Sequence, residues 1–421
     1  MTLPQASQDG QPLPFIDALF TATSATCVTG LVVVDTADHF TLLGQLVILA
    51  LIQIGGLGFM AMSILIAIVM GHKIGLRSRM MAQEAFNQLS IAGIVNLTKK
   101  IVIMTLIIES IGGIILSLRF AWEFPWGTAI YYGFFHAISA FCNAGFDLMG
   151  DFNSLTQHQQ DPVVTLTIAS LIVLGGLGFV VLNELYNYRR HKYLSLHSRM
   201  VLRVTAGLIL IGAGMIFILE FFNPNTLYPL SLTWKIIHAF FQSITARTAG
   251  FNTLAIDKMN DATLFIIVIL MFIGASPGST GGGIKTTTFG AMFLAVKSTI
   301  NGKEDVEFSR KRISREIVRR AFAVTALAVF LLITITTILS VTESDHIGGR
   351  DFIRVLFEVV SAFGTVGLST GITPDLTPVG KILLSILMFV GRLGPLTIAI
   401  ALAYRRKKSV FRYPEDRIIV G

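Results

Sequence analysis

Four loops of this chain carry a glycine at one recurring position. In each loop a Phe lies ten residues before the glycine, and Leu or Phe follows the glycine directly. The four pairs are Phe20 and Gly30, Phe135 and Gly145, Phe240 and Gly250, and Phe357 and Gly367. A second glycine follows each loop by 24 to 30 residues, at Gly55, Gly175, Gly274 and Gly391. Two markers that recur four times in register indicate a fourfold internal duplication.

The chemistry that such loops support is cation coordination by backbone oxygen. Non-helical backbone is tolerated at membrane depth where it is buried in protein or lines a water-filled path. A dehydrated cation needs replacement oxygens, and rings of backbone carbonyls supply them. Glycine adopts the positive φ angles that turn these carbonyls inward. The predicted ligands are the three residues that end at each glycine, namely Val28, Thr29, Gly30, Asn143, Ala144, Gly145, Thr248, Ala249, Gly250, Thr365, Val366 and Gly367.

The third repeat contains a break that is not seen in the others. Its hydrophobic segment is interrupted by the run Gly274, Ala275, Ser276, Pro277, Gly278, Ser279, Thr280, Gly281, Gly282 and Gly283. Proline removes a backbone hydrogen bond and glycine weakens a helix, so this segment should be interrupted within the membrane. An interrupted helix below the loops can block a pore and move, which predicts a gate. Phosphate binding is not predicted, because Ile284 stands where the phosphate-loop motif requires lysine.

Charged residues near these features have alternative interpretations. An arginine inside a span is costly, so Arg392 is either an electrostatic barrier below the loops or half of a buried pair with Glu109 or another carboxylate. Lys285 either belongs to the gate or extends its amine towards the membrane surface. Arg247 is expected to pair behind the third loop, with Glu358 as a candidate partner. Acidic residues after the loops either form a cation-attracting vestibule or are simply solvated. They are Asp35, Asp147, Asp257 and Asp375.

The composition indicates that lipid surrounds the chain. Charged residues make up 14% of its 421 residues, against about 25% in a typical soluble domain. Thr41–Met70 contains no charged residue, and roughly 20 apolar residues span a bilayer. Similar stretches occur near residues 101–121, 162–183, 204–222, 262–284, 321–341 and 380–403. These patterns predict a multi-pass helical membrane protein.

Basic residues predict the orientation of the chain. Of its 33 Lys and Arg residues, 24 fall within 72–100, 189–203, 297–320 and 405–417. Positively charged loops remain cytoplasmic, so these stretches should face the cell interior. The net charge of +8 then reflects topology, and no nucleic-acid-binding motif accompanies it. The loop 297–320 and the tail 404–421 either bind a regulatory partner or reflect topology alone.

The predicted fold is an all-α polytopic membrane protein with four repeats around a pseudo-fourfold pore. Each repeat has an outer helix, a short re-entrant helix of about 12–14 residues that cannot span, a glycine loop and a second spanning helix. The repeats are expected at residues 1–96, 97–198, 199–317 and 318–421, the last with the C-terminal tail. The short and mostly polar segment Met1–Leu13 is all that precedes Pro14, so either the sequence starts late or the first repeat is expected to lack its outer helix.

The motifs of this chain resemble those of a known family. Thr365–Ser369, read as TVGLS, is similar to the TVGYG filter of potassium channels. The four loops, the GASPGSTGGGIKTTT run, the FVGRLGPLT segment and the C-terminal FRYPEDRIIVG resemble the Trk/Ktr/HKT superfamily of potassium transporters, in its KtrB branch. The resemblance covers nearly the whole chain. It implies four helix–loop–helix repeats, with 274–283 as the intramembrane gate and Arg392 near it.

The resemblance also implies a substrate and partners. The substrate would be the potassium ion, with sodium as an activator in some relatives. The subunit would form a homodimer in the bacterial plasma membrane, with one pore per subunit. A cytoplasmic ring of the KtrA type would bind ATP or ADP and control the gate, and this chain itself would bind no nucleotide.

Other functional classes fit the sequence less well. The eight His form no metal-spaced cluster and no nucleophile–base arrangement stands out, so an enzyme is not predicted. A voltage sensor would need an arginine at every third position of one span, and the sequence of this chain contains no such series. The nearest alternative is a sodium-selective transporter of the same architecture. In sodium-selective plant relatives the first filter glycine becomes Ser, whereas Gly30 is present here and favours potassium.

Overall fold

The structure is a computed structural model, and it describes residues 1–58, 94–344 and 352–394. Leu76–Met80 (LRSRM) and Leu196–Met200 (LHSRM) are similar in sequence, and the first of them lies outside these residues. The C-terminal FRYPEDRIIVG segment and the basic tail 404–421 lie wholly outside them.

Helices make up most of the regular structure in these ranges. They are α1 (Phe15–Cys27), α2 (Thr36–His39), α3 (Leu42–Leu57), α4 (Ile94–Phe120), α5 (Trp126–Cys142), α6 (Pro162–Leu177), α7 (Phe179–His191), α8 (Leu196–Glu220), α9 (Leu232–Thr245), α10 (Asp261–Phe272), α11 (Thr286–Ile300), α12 (Arg315–Thr342), α13 (Phe352–Gly364) and α14 (Pro378–Leu393). Short 3-10 turns occupy Pro4–Ala6, Thr156–His158 and Ile256–Lys258.

Three of these helices are long and apolar enough to cross a bilayer. They are α4, α8 and α12, with 27, 25 and 28 residues. Helices α6 and α7 form a fourth candidate span, bent by 101° at Gly178, among the residues that the structure describes. Apolar side chains on the outer faces of the long helices are exposed, for example Ile111, Ile218 and Phe330. Exposure of such side chains is expected where lipid is the surrounding medium.

Four shorter helices precede the glycine loops, and none of them is long enough to span. Helices α1, α9 and α13 have 13, 14 and 13 residues, as predicted, whereas α5 has 17. At about 1.5 Å per residue, 13 residues cover roughly 20 Å of a hydrocarbon core about 30 Å thick. The residues Pro14 and Pro125 stand directly before α1 and α5, where a proline does not interrupt helical hydrogen bonding.

The third loop is one residue shorter than the other three. The N–H of Ala249 donates to the carbonyl of Thr245, four residues earlier. In the other loops the corresponding bond reaches back five residues, from Thr29 to Ser24, from Ala144 to Ser139 and from Val366 to Ser361. The buried Phe of the third repeat is therefore Phe241, whereas Phe240, which the spacing of ten residues selects, is 37% exposed. Phe20, Phe135 and Phe357 are fully buried.

The third repeat also has a shortened second helix. Helix α10 ends at Phe272 after 12 residues, whereas α3, α6 and α14 each have 16. The next helix begins only at Thr286, and a bridge between Ile273 and Ile284 closes the base of the intervening segment. The interruption predicted from Pro277 and the surrounding glycines is therefore present.

One element departs from the all-α prediction. Strands β1 (Val306–Phe308) and β2 (Lys311–Ile313) form a small antiparallel hairpin inside the basic loop 297–320. The guanidinium of Arg203 lies 5.1 Å from the Phe308 ring and also donates to the Ser309 hydroxyl. The density of basic residues concealed this hairpin from sequence analysis, since charges in a loop carry no strand signal.

Candidate functional site: a ring of four loops

The four loop glycines lie next to one another in chain order. A Cβ atom placed on Gly145 would lie 2.8 Å from the Ala249 carbonyl oxygen, and one on Gly250 would lie 2.7 Å from that of Val366. Gly30 contacts the backbone of Ala144 and Gly145 in the same way, and Gly367 contacts that of Thr29 and Gly30. The contacts return to the first loop, so the four loops form a closed ring with the second and fourth loops on opposite sides.

The loops share an unusual backbone conformation. The φ angles of the glycines are +91° at Gly30, +71° at Gly145, +81° at Gly250 and +90° at Gly367. Two residues earlier, a non-glycine residue also has a positive φ in every loop: +58° at Val28, +60° at Asn143, +77° at Thr248 and +49° at Thr365. A non-glycine residue in this region costs about 1–3 kcal/mol. Alternation of left-handed and ordinary angles turns successive carbonyls to one side, as a carbonyl-lined ion path requires.

A buried hydroxyl in each short helix supports the loop that follows it. The hydroxyls of Ser24 and Ser361 accept from the N–H groups of Gly30 and Gly367, both at 3.1 Å. In the other two loops the hydroxyl donates to the carbonyl after the glycine, from Ser139 to Phe146 at 2.7 Å and from Thr245 to Phe251 at 2.5 Å. Sequence analysis missed these four residues, although a hydroxyl five or six residues before each glycine was a visible signal.

The short helices also contribute to the electrostatics of the ring. Each of them ends within three residues of its loop's first left-handed residue. A helix C-terminus carries a partial negative charge of about half an elementary charge. Four such ends around one ring favour a cation.

The second set of glycines packs α3, α6 and α14 against the short helices that precede the loops. A Cβ on Gly55, Gly175 or Gly391 would overlap the carbonyl four residues before the loop glycine, which belongs to Thr26, Phe141 and Phe363 respectively. Gly55, Gly175 and Gly391 therefore each allow a close approach of two helices. Gly274 differs, because it lies against the backbone of Gly282 within its own segment.

The segment 274–283 lies against one side of the ring. The N–H of Gly282 donates to the Thr365 hydroxyl at 2.9 Å, and Gly281 contacts the hydroxyl of Thr248. Thr248 and Thr365 are the first predicted ligands of their loops. On its other flank the segment binds the break between α6 and α7, with Ser276 N–H donating to Gly176 at 3.1 Å and Phe179 N–H donating to Gly278 at 2.9 Å.

Two cationic side chains hold successive carbonyls of this segment. Arg392 donates to the carbonyls of Thr280 and Gly55. The Lys285 amine donates to the carbonyl of Gly281 at 2.7 Å and to that of Gly282 at 3.4 Å. Lys285 and Arg392 therefore both contact the segment directly. The alternative pair between Arg392 and Glu109 is not formed, because Glu109 accepts from Gln53 and Cys142 instead.

The prediction that Arg247 pairs with Glu358 is wrong. Arg247 is buried and donates to the carbonyls of Thr205 at 3.5 Å and Gly274 at 3.3 Å. The Glu358 carboxylate accepts from Ser369, Thr370 and Thr373 instead. Charge complementarity suggested a pair, but the nearest hydrogen-bonding groups on each side are neutral.

The acidic residues after the loops separate into two groups. Asp257 and Asp375 are exposed. Asp35 caps α2 and also accepts from the N–H of Phe152 at 2.8 Å. Burial, and to a smaller extent the Asp35 charge, raises the pKa of Asp147 to about 7. Asp35 and Asp147 thus lie near each other, between the first and second repeats.

One further acidic cluster lies away from the ring. Within the described ranges, Glu123, His158 and Asp161 are close enough to hold a metal ion. However, the guanidinium of Arg119 already contacts Glu123 at 2.7 Å and Asp161 at 2.5 Å. A cationic side chain thus occupies the place that a metal would take.

The membrane-spanning helices and the closed ring of backbone loops define a membrane cation transporter rather than an enzyme. The chain belongs to the TrkH family, described as cation transport proteins, whose model matches residues 1–412. It is similar to the Ktr system potassium uptake protein B of Bacillus subtilis, with 44% identity over 98% of this chain and 91% of that protein.

Further relatives and a solved structure agree with this assignment. The potassium/sodium uptake protein NtpJ of Enterococcus hirae is 41% identical over 100% of this chain and 93% of that protein. The crystal structure of the potassium transporter TrkH from Vibrio parahaemolyticus superposes with a TM-score of 0.70, covering 94% of this chain and 80% of that one. At 19% identity it supports the fold.

Proposed function

We propose that this protein takes up potassium across the plasma membrane through the ring of four loops. The observation that carries the proposal is the closed ring of positive-φ glycines, Gly30, Gly145, Gly250 and Gly367. The backbone oxygens of the twelve predicted ligands replace the hydration shell of the ion. The choice of potassium is supported by the names of the relatives from Bacillus subtilis and Vibrio alginolyticus, both potassium uptake proteins.

The segment 274–283 is proposed as the gate of this path. It contacts the ring at Thr248 and Thr365, and Arg392 and Lys285 bind its carbonyls. Two positive charges beside the ring oppose the passage of a cation, so the described arrangement suits a closed state. Opening requires these carbonyls to exchange their cationic partners for water or for other protein groups.

The wider organisation is also a proposal. The four repeats at 1–96, 97–198, 199–317 and 318–421 surround one pore in each subunit of a homodimer, and the basic loops face the cytoplasm. Control of the gate by a cytoplasmic nucleotide-binding ring is consistent with relatives named as protein B of a Ktr system. Sodium is proposed as an activator because the Enterococcus hirae relative is named a potassium/sodium uptake protein.

That same name supports the second candidate, a sodium-selective transporter of this architecture. The presence of glycine at position 30 favours potassium, because a Cβ there would overlap the carbonyl of Ala144 in the next loop. A change of that loop would alter the spacing of the coordinating oxygens, on which the discrimination between ions depends.

Growth of an uptake-deficient bacterium at limiting potassium tests the proposed function. The full chain is expressed with a nucleotide-binding ring partner, alongside Gly30→Ser and Gly367→Ser variants. We expect the chain to restore growth, and the variants to lose growth or to need much more potassium in the presence of sodium. Failure of the unaltered chain to restore growth, although it is inserted in the membrane, would contradict potassium uptake.

A further inference from the structure

One carboxylate behind the ring has no part in the proposed function so far. Glu358 lies on α13, is 1% exposed and comes nine residues before Gly367. It accepts from the N–H of Thr370 at 2.8 Å, from the Ser369 hydroxyl at 2.6 Å and from the Thr373 hydroxyl at 2.7 Å. All three donors belong to the non-helical segment that follows Gly367 and leaves the ring on the side away from the gate segment. A charged acceptor makes its hydrogen bonds shorter and stronger than a neutral acceptor does.

A second residue makes the equivalent bond in the second repeat. His136 lies nine residues before Gly145, and its Nε2 accepts from the N–H of Leu148 at 3.2 Å. Thr370 and Leu148 each come three residues after the loop glycine. The Nδ1 of His136 lies 2.7 Å from the Tyr132 carbonyl. Since a carbonyl only accepts, Nδ1 carries the proton and Nε2 is left as the acceptor.

The first and third repeats do not have this bond among the described residues. Thr21 stands at the equivalent position of the first repeat, and its hydroxyl donates to its own helix at Asp17. Because the third loop is one residue shorter, its equivalent is Gln242, whose buried amide has no hydrogen-bond partner there. His238 instead contacts the Thr253 side chain at 2.9 Å. The backbone bond is thus confined to the two loops that face each other across the ring.

We infer that Glu358 and His136 are positioning residues that hold the second and fourth loops, on opposite sides of the ring, and so set its preference for potassium over sodium. The inference rests on the proposed filter. A loop that is held at the third residue after its glycine cannot move inward to meet a smaller ion without losing a buried hydrogen bond. A buried donor left without its acceptor is costly, which makes the held spacing the favoured one.

The test measures potassium and sodium uptake into membrane vesicles that contain the full chain. Glu358→Leu and His136→Leu remove the acceptors, and Glu358→Gln keeps an oxygen that faces the Thr370 N–H. We expect the potassium-to-sodium uptake ratio to fall about tenfold in Glu358→Leu, less in His136→Leu, and by no more than about twofold in Glu358→Gln.

Glu343 offers a matched control for removal of a buried carboxylate. It is also 1% exposed and accepts from the Thr377 N–H at 2.9 Å and from the Thr377 hydroxyl at 2.6 Å, at the start of α14 and away from the ring. Glu343→Leu should lower the amount of inserted protein and leave the uptake ratio unchanged. An equal fall of the ratio in Glu343→Leu would overturn the inference, because it would indicate a general loss of packing.

The remaining outcomes separate this inference from the proposed filter. An unchanged ratio in both Glu358→Leu and His136→Leu, together with a changed ratio in Gly367→Ser, would overturn the positioning role and leave the filter intact. An unchanged ratio in Gly367→Ser would overturn the filter itself. If Glu358→Leu does not reach the membrane, His136→Leu decides the inference by the same criterion.

Discussion

The ring of four loops and the segment 274–283 are in contact, yet they are held in different ways. The ring is formed by backbone against backbone: each glycine meets the next loop, and a hydroxyl from each short helix fastens its own loop. The segment occurs once, and its carbonyls are bound by the long side chains of Arg392 and Lys285.

This difference suggests a division of labour. Contacts between backbones without side chains leave little freedom to rearrange, because closely packed groups do not deform continuously. Hydrogen bonds from arginine and lysine to carbonyls can be exchanged for bonds to water. The ring therefore suits ion selection, and the segment suits movement.

The largest effect is expected from a side chain placed inside the ring. Gly367→Ala would place a Cβ against the carbonyl of Thr29 and should strongly lower both potassium uptake and its ratio to sodium uptake. Gly371→Ala is the matched control, since the two glycines have φ angles of +90° and +89° but Gly371 has nothing within 4 Å of such a Cβ. Because the φ angles match, both variants carry a similar backbone strain, of about 1–3 kcal/mol. Equal loss of uptake would show that strain, rather than the ring contact, is responsible.

A loss of folded protein is expected where the second set of glycines is altered. In Gly391→Ala the new Cβ would overlap the Phe363 carbonyl, so α13 and α14 must separate. Overpacking of this kind typically costs about 1–3 kcal/mol, and the thermal midpoint of the detergent-solubilised protein should fall by several degrees. Gly207→Ala, in the open part of α8, serves as the control and should leave the midpoint unchanged or slightly higher. A stable Gly391→Ala protein would argue against the close approach.

The gate segment should respond in the opposite direction to the ring. Arg392→Met removes the donor to Thr280 and one positive charge, while it keeps much of the side-chain volume. We expect faster potassium uptake with unchanged selectivity, and weaker dependence on the regulatory partner. Uptake rates with and without that partner provide the measurement. Lys285→Met should act in the same direction, because it frees the Gly281 and Gly282 carbonyls. Slower uptake in both variants would indicate that the cations support the open path.

The smallest effect is expected at the acidic mouth of the second loop. Because the pKa of Asp147 is raised to about 7, this carboxyl is ionised above pH 7 and gains a proton as the outer pH falls. Loss of a negative charge near the path should raise the KM for potassium by about two- to threefold between pH 8 and pH 6. In Asp147→Asn the KM should be high and independent of pH over this range. A pH response that persists in the variant would assign the titration to another group.

The same raised pKa has a consequence for stability. A carboxyl whose pKa is higher in the folded state favours folding while it is protonated, and this contribution is lost as the pH rises from about 4 to about 7. Asp147→Asn should therefore unfold at a temperature that depends less on pH across this interval. Thermal unfolding of the purified protein at several pH values provides the comparison.

Spacing patterns predicted the ring and the interrupted helix, because both depend on the backbone and so on glycine and proline. The partners of buried charged residues were not predictable in the same way. Arg247 binds the carbonyl of Thr205, and Glu358 binds the hydroxyl of Thr373. The fold brings these groups together, and the sequence does not show that they will meet. The shift from Phe240 to Phe241 was also hidden. Phe occupies both positions, so the spacing of ten residues from Phe240 to Gly250 fits the pattern although the third loop is one residue shorter.

The most direct test of the central claim is the ratio of potassium to sodium uptake by purified protein in liposomes, compared between the unaltered chain and Gly30→Ser. A ring of backbone carbonyls predicts a high ratio that falls steeply when a side chain enters between the first and second loops. A ratio that is the same for both proteins, with uptake still present, would contradict the claim that the ring selects the ion.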